Sequence, residues 1–182
     1  MRRFITTLIL FLTTLLVSCG SSEKQTQRYD SSPDLSGKYK SANQTASSTA
    51  ISFTAYDING TLHNSNEWIG KQPVIINIWG TWCPPCRKEI PDLIRLYGEY
   101  RPKGVEILGL AVKDSPQKVD LFSSQNGMEW VMMMADRNLM ISLRATRGVP
   151  TTIFLDSTGK EVTRFVGPRS YDVFREAFEA IL

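Results

Sequence analysis

Two cysteines, Cys83 and Cys86, are separated by two residues and lie between two apolar segments. The segment before them, residues 74–79, has the length and composition of a buried strand. The segment after them has the apolar spacing of an amphipathic helix, at Ile90, Leu93, Ile94 and Tyr97. The pattern predicts a strand, a short turn, the cysteine pair and a helix. A thiol at the start of a helix is stabilised as a thiolate by backbone N–H groups and the helix dipole.

The number of cysteines limits what this pair can do. The chain has 3 cysteines, the third being Cys19, and 1 histidine, His63. Structural zinc sites usually take four Cys or His ligands, and disulfide-rich scaffolds need more pairs. We therefore expect no metal and no cofactor, and the spacing of Cys83 and Cys86 favours thiol–disulfide chemistry. His63 lies in a segment predicted to be peripheral, so we expect no catalytic role for it.

The N-terminal 50 residues differ from the rest of the chain. Residues 1–18 resemble a signal peptide, because two basic residues precede an apolar stretch too short to span a bilayer. The residues around Cys19 resemble the bacterial lipoprotein signal, which implies cleavage before Cys19 and a lipid on its sulfur. An ordinary signal peptide or an uncleaved anchor is the alternative. Residues 19–50, rich in Ser and Thr, are expected to form a flexible, lipidated tether.

The net charge of +3 does not indicate a nucleic-acid partner. Without Arg2 and Arg3 of the signal segment, the 21 basic residues fall to 19, against 18 acidic ones. A balanced chain of this kind offers no strongly basic surface for nucleic acid.

Residues 51–182 are predicted to form a single α/β domain. The alternating segment 51–56, the Asn59-Gly60 turn and residues 61–63 predict an N-terminal β-hairpin. Further strands are predicted at 105–112, 131–134, 152–155 and 162–166, and helices at 117–126, 138–146 and the C-terminus. We expect a central mixed sheet flanked by helices, with residues 74–79 as its central parallel strand.

Three separated motifs resemble a known family: WGTWCPPC, the following RKEIP, and RGVPT far downstream. In this order they resemble the thioredoxin superfamily and, more narrowly, the membrane-tethered TlpA/ResA/DsbE-like thiol-disulfide oxidoreductases. The resemblance covers residues 51–182 and implies the thioredoxin fold. It also implies reduction of disulfides in exported proteins, in some relatives during cytochrome c maturation, with a membrane thiol carrier as electron donor.

The two cysteines are expected to have different roles. Cys83, at the edge of the helix, should be more acidic and more exposed than Cys86, so we assign Cys83 as the nucleophile and Cys86 as the resolving cysteine. Pro84 and Pro85 have no N–H, so the first backbone donor that can reach the sulfur of Cys83 belongs to Cys86. A thiolate with few donors is only moderately stabilised, which favours a reductant over an oxidant.

Glu89 is the candidate proton carrier. It lies three residues after Cys86 and therefore on the same helical face. In the ResA-like family an acidic residue at this spacing tunes the cysteine pair and moves protons, and the resemblance implies that role for Glu89. The alternative is a solvated glutamate that interacts with the helix dipole. Asn77 stands where cytoplasmic thioredoxins have a buried aspartate, which leaves Glu89 as the candidate base.

Trp82, Val149 and Pro150 are the expected substrate-binding residues. The resemblance implies that the Val149–Pro150 bond is cis and lies against the cysteine pair, where the backbone of Val149 would pair with an extended substrate segment. Trp82 is expected to shape the exposed surface around Cys83, whereas Trp79 is expected in the core.

We therefore expect a monomeric, lipid-anchored thiol-disulfide reductase on the extracytoplasmic, periplasmic side of the cell envelope. The sequence leaves the inner and the outer membrane as alternatives. An oxidase or isomerase of periplasmic disulfides is one alternative function, and a non-enzymatic metallochaperone on a thioredoxin scaffold is another. The second is disfavoured because copper carriers of this superfamily use a histidine downstream of the cysteines, and His63 precedes them.

Overall fold

The structure is a computed structural model that describes residues 51–182. The strands are β1 (Thr54–Tyr56), β2 (Leu62–Asn64), β3 (Val74–Trp79), β4 (Glu106–Val112), β5 (Val131–Ala135), β6 (Thr151–Leu155) and β7 (Glu161–Val166). The α-helices are α1 (Pro84–Tyr100), α2 (Pro116–Asn126), α3 (Arg137–Ser142) and α4 (Tyr171–Ala180). The fold is the α/β fold predicted from the sequence.

The predicted signal peptide (1–18), the lipid site at Cys19 and the tether (19–50) lie outside the described residues. Within residues 51–182, no helix is both long enough and apolar enough to cross a bilayer.

Five strands form the central sheet in the order β5-β4-β3-β6-β7. Strand β3 pairs in parallel with β4, because α1 connects the two as a crossover. On its other side β3 pairs antiparallel with β6, and β6 pairs antiparallel with β7. The sheet is therefore mixed, as predicted. The prediction of β3 as a parallel strand is correct on one side only, because its other neighbour, β6, runs antiparallel to it.

The predicted N-terminal hairpin is present and lies beside the sheet. Strands β1 and β2 pair antiparallel, with Thr54 opposite Asn64. The turn is closed by Asp57, whose carboxylate accepts hydrogen bonds from the backbone N–H groups of Asn59 and Thr61. The N–H of Ile58 donates to the carbonyl of Met132 at 3.0 Å, which attaches the hairpin to β5.

The side chains of β3 alternate between two apolar clusters, one on each face of the sheet. Ile75 and Trp79 belong to the cluster that includes residues of α1, α2 and α4. Ile76 and Ile78 belong to the cluster that includes residues of α3 and β1. Burial on both faces explains why the segment is almost continuously apolar. By the same alternation, Asn77 lies on the face of Ile75 and Trp79, which α1 covers.

Two predicted elements extend three or more residues beyond the observed ones. The first strand begins at Thr54 and not at residue 51, because the backbone of Phe53 bonds to the side chain and backbone of Ser65 instead of joining the ladder. Helix α3 ends at Ser142 and not at residue 146, because Arg144 adopts a left-handed conformation with φ of 53°.

Candidate active site

Cys83 and Cys86 lie where the chain leaves β3 and enters α1. Cys83 is the N-cap residue of α1, and Pro84 and Pro85 are its first two helical residues. The two sulfurs form a disulfide, with the Cα atoms 5.3 Å apart. The N–H of Cys86 donates to the sulfur of Cys83 at 3.2 Å. This confirms the prediction that Cys86 supplies the first backbone donor to that sulfur.

The two cysteines differ less in exposure than expected. Cys83 is 2% exposed and Cys86 is 0% exposed, because both side chains pack in the apolar cluster on the α1 side of the sheet. The expectation of an exposed Cys83 is therefore wrong for the disulfide form. What distinguishes Cys83 is its position at the N-cap, where its sulfur accepts a helix N–H.

The turn before Cys83 is held to the end of β4. The N–H of Thr81 donates to a carboxylate oxygen of Asp114 at 2.7 Å, and the indole N–H of Trp82 donates to the carbonyl of Val112 at 3.0 Å. Gly80 is required here, because a Cβ atom would lie 2.6 Å from the indole nitrogen. Trp82 is half exposed beside Cys83, and Trp79 is fully buried, as each was expected to be.

Glu89 is buried beneath α1, with 2% of its surface exposed. The alternative of a solvated glutamate is therefore wrong. The side-chain amide of Asn77 donates to Oε1 of Glu89 at 3.2 Å. The second oxygen, Oε2, has no hydrogen-bond partner among the described residues. Glu89 belongs to the buried stripe of α1, and its spacing from Cys86 and Leu93 is the sequence signal for that burial.

Burial raises the pKa of Glu89 to about 7. The hydrogen bond from Asn77, a hydrogen bond from the backbone N–H of Arg169 and the positive charge of Arg169 act in the opposite direction, while the nearby carboxylate of Asp92 raises the pKa further. A carboxyl group with a pKa near neutrality can accept a proton and release it again under ordinary conditions. Arg169 was not a candidate in the sequence, where nothing relates it to a residue eighty positions earlier.

Asn77 contributes more to the site than the sequence predicted. Its amide nitrogen donates both to Glu89 and, at 3.2 Å, to the hydroxyl of Thr152 on β6. Both hydrogens of the amide are thereby used, which fixes its orientation toward the carboxyl group. The signal for this role was a single polar residue inside an apolar strand. That signal did not indicate that Glu89 and Thr152 are the partners of Asn77.

The segment before β6 lies beside the cysteine turn. The Val149–Pro150 bond is cis, the conformation that the resemblance implies. The carbonyl of Pro150 accepts a hydrogen bond from the N–H of Gly167 at 2.8 Å, and the hydroxyl of Thr151 donates to the carbonyl of Gly148 at 2.7 Å. Val149 and Trp82 both line an open groove of about 640 Å³. The structure thus brings Trp82 and Val149 together on one surface.

His63 is not part of this site. Its ring nitrogens contact the carboxylates of Asp57, in the turn of the N-terminal hairpin, and of Glu67, in the helical turn that follows the hairpin. Within residues 51–182, no group of three Cys, His, Asp or Glu side chains is arranged to hold a metal ion.

The sequence of the chain is similar to those of known proteins. A sequence profile of the AhpC/TSA family matches residues 46–164. The chain is 32% identical over 136 residues to the thiol-disulfide oxidoreductase ResA of Halalkalibacterium halodurans, covering 75% of this chain and 77% of that protein. It is 31% identical over 134 residues to ResA of Geobacillus thermodenitrificans, covering 74% of this chain and 76% of that protein.

A solved structure has the same fold. It is a thiol:disulfide interchange protein of the thioredoxin family from Chlorobium tepidum TLS, which superimposes with a TM-score of 0.66 at 28% sequence identity. The match covers 76% of this chain and 99% of that one.

Proposed function

We propose a direction of electron transfer, a substrate class and a location for the redox chemistry of this chain. The chain belongs to the AhpC/TSA family and to the TlpA/ResA/DsbE-like group of the thioredoxin superfamily. The resemblance carried by the three sequence motifs is thereby confirmed, and the chain is a thiol-disulfide oxidoreductase. Its proposed task is to reduce disulfides in exported proteins outside the cytoplasm, while tethered to a membrane.

Cys83 is the proposed nucleophile. In the reduced enzyme its thiolate attacks a substrate disulfide, forms a mixed disulfide and releases the first substrate sulfur as a thiolate. Cys86 then gives its proton to the carboxylate of Glu89 and attacks the sulfur of Cys83. The bond between Cys83 and the substrate breaks, and two electrons have passed to the substrate. The enzyme is left with the Cys83–Cys86 disulfide found in the structure.

The hydrogen bonding of Cys83 is the main observation in support of the proposed direction, which is reduction of the substrate disulfide. Its sulfur accepts one backbone N–H, that of Cys86, because Pro84 and Pro85 have none to offer. A thiolate with few donors is stabilised only moderately, and an enzyme whose reduced form is not strongly stabilised transfers its electrons readily. The buried Glu89 acts in the same direction, since a carboxylate near the sulfurs disfavours the thiolate.

The substrate is proposed to lie as an extended segment across Trp82, Val149 and Pro150. No backbone hydrogen bond joins Val149 to another residue of the described range, so its N–H and carbonyl can pair with a substrate strand. Trp82 adds a half-exposed aromatic surface next to Cys83. Cytochrome c precursors are one class of exported substrate that the family resemblance implies.

The proposed location follows from the N-terminal sequence. Cleavage after residue 18 and lipid on Cys19 would anchor the domain to a membrane through the segment 19–50. A membrane thiol carrier is the proposed electron donor.

The test is capture of a substrate by the Cys86→Ser variant of the soluble domain. We expect a mixed disulfide that forms on Cys83 and is released by dithiothreitol, whereas a variant that also carries Cys83→Ser should form none. Equilibration of the wild-type domain with glutathione should show a dithiol that is more reducing than glutathione. A Cys83 adduct together with a pair more oxidising than glutathione would exclude the reductant and leave an oxidase.

A further inference from the structure

A cleft separate from the substrate groove is lined in part by Glu89. It is a cleft of about 410 Å³ between α1 and the segment that joins β7 to α4. Lys88, Glu89 and Asp92 line it on one side, and Arg169, Ser170 and Tyr171 on the other. It shares no lining residue with the groove beside Trp82 and Val149. The volume is sufficient for several water molecules, each of which occupies about 30 Å³ in the liquid.

Glu89 is the buried member of this lining. Its side chain is 2% exposed, and its Oε2 atom is buried without a hydrogen-bond partner among residues 51–182. Oε1 is already bonded to Asn77. A buried oxygen of this kind normally has a partner, and in a polar cleft that partner is water.

Two charged residues of opposite sign stand on the two walls of the cleft. Arg169 is held in place, because its Nη1 donates to the carbonyls of Gly167 at 3.2 Å and Pro168 at 2.8 Å. Its guanidinium also lies 5.1 Å from the centre of the Phe165 ring. Asp92 follows Glu89 by three residues on α1, so the two carboxylates are neighbours on the helix surface.

We propose that this cleft is the route by which Glu89 exchanges protons with solvent while a substrate covers Cys83. Arg169 and Asp92 are positioning residues, which favour the charged and the neutral form of Glu89, respectively. The inference rests on the proposed function. A substrate bonded to Cys83 occupies the surface around Trp82, so a proton taken from Cys86 needs another exit. Neutral Glu89 passes that proton to water in the cleft and becomes a carboxylate again.

The charges around Glu89 give the expected signs. The ionisable groups that line the cleft with it are Lys88, Asp92, Arg169 and Tyr171. Cys86 precedes it by three residues on α1 and is held in the disulfide of the oxidised protein. Its contact Asn77 is neutral. Arg169 lowers the pKa of Glu89 and Asp92 raises it, against a larger increase from burial. Loss of the arginine charge should therefore raise the pKa, and loss of the aspartate charge should lower it.

The test follows the side-chain carboxyl carbon of Glu89 by NMR as the pH is changed in the oxidised protein. We expect Arg169→Gln to move the midpoint upward, Asp92→Asn to move it downward and Arg169→Lys to leave it near the wild-type value. Both shifts should shrink at high salt, since the cleft is open to solvent. Arg175→Gln and Asp120→Asn remove the same charges elsewhere and should leave the midpoint unchanged. Shifts in one direction for both cleft variants, or equal shifts in the controls, would overturn the positioning roles.

The proton route is tested in the same way with a peptide bonded to Cys83 of the Cys86→Ser variant. A single carboxyl signal that moves continuously with pH shows rapid exchange, and we expect it with and without the peptide. Separate signals for the two protonation states, appearing only when the peptide is attached, would place the route on the substrate face and refute the cleft. If no peptide adduct forms on Cys83, the proposed function fails, and the titration of the oxidised protein still decides the roles of Arg169 and Asp92.

Discussion

The N-terminal hairpin and the active site each contain an ionisable group, and the chain surrounds the two groups differently. In the hairpin, His63 lies between two carboxylates, with ring nitrogens 3.4 Å from Asp57 and 3.0 Å from Glu67. In the active site, the side chain of Asn77 and the backbone of Arg169 donate toward the carboxyl group of Glu89, and its Oε2 atom has no side-chain partner in the described part of the chain. The charge of the histidine is compensated, and the charge of the glutamate largely is not.

Both pKa values are raised, for opposite reasons. The hydrogen bond with Glu67 raises the pKa of His63 and so favours its charged form. Burial raises the pKa of Glu89 to about 7 and so favours its neutral form. Hydrogen-bonded carboxylates favour the charged form of His63, whereas loss of water outweighs the partners of Glu89 and favours its neutral form. Of the two groups, Glu89 is the one that lies on the helix of the cysteine pair, three residues after Cys86.

The largest expected effect that tests this comparison is that of Glu89→Gln on stability. The pKa of Glu89 is raised from 4.5 in the unfolded chain to about 7, so its contribution is fully favourable below 4.5 and is lost as the pH rises through 7. Gln stays neutral, so the variant should be more stable than the wild type by up to about 3 kcal/mol at alkaline pH and equal to it at acidic pH. Urea unfolding of the oxidised protein at both pH values measures this. A gain that does not depend on pH would show that ionisation of Glu89 is not its cause.

Asn77→Val sharpens the comparison by removing the side-chain donor of Glu89. The pKa of Glu89 should rise above its present value, because the ionised form loses a hydrogen bond. We expect the variant to lose about 2 kcal/mol above neutral pH, the cost of a hydrogen bond to a charged group, and much less at acidic pH, where Glu89 is neutral in both proteins. The double variant with Glu89→Gln is the control, and it should show no such pH dependence.

The smallest effect is expected in the hairpin, for His63→Gln. Because the pKa of His63 is raised in the folded protein, its contribution is fully present below its ordinary value of 6.5 and is lost as the pH rises through the folded value. We expect a loss below about 1 kcal/mol in mildly acidic solution and none in alkaline solution, as is typical of partly exposed ion pairs. Thermal unfolding at the two pH values checks this. A loss as large as that of Asn77→Val, or one that persists in alkaline solution, would show that the contribution of His63 is not that of a partly exposed ion pair.

The parts of the fold that the sequence predicted are those that depend on near neighbours. The apolar run of β3, the start of α1 and the Asn59-Gly60 turn each follow from a short segment, because periodicity, proline and glycine act locally. The end of α3 was predicted four residues too late, since the left-handed Arg144 has no local signal comparable to a glycine. The exposure of Cys83 was also mispredicted, because the packing around it comes from distant parts of the chain.

By itself, the sequence determined the chemistry available to this protein. Two cysteines at a helix start, with two prolines that offer no N–H, specify a redox pair whose first backbone donor is Cys86, because those properties belong to covalent structure and helix geometry. The tertiary structure alone decided the state of Glu89. Its bond to Asn77 joins α1 to β3, and the charge of Arg169 comes from a segment eighty residues further along the chain. The pKa of a carboxyl group depends on the water and charges around it, and only folding sets those.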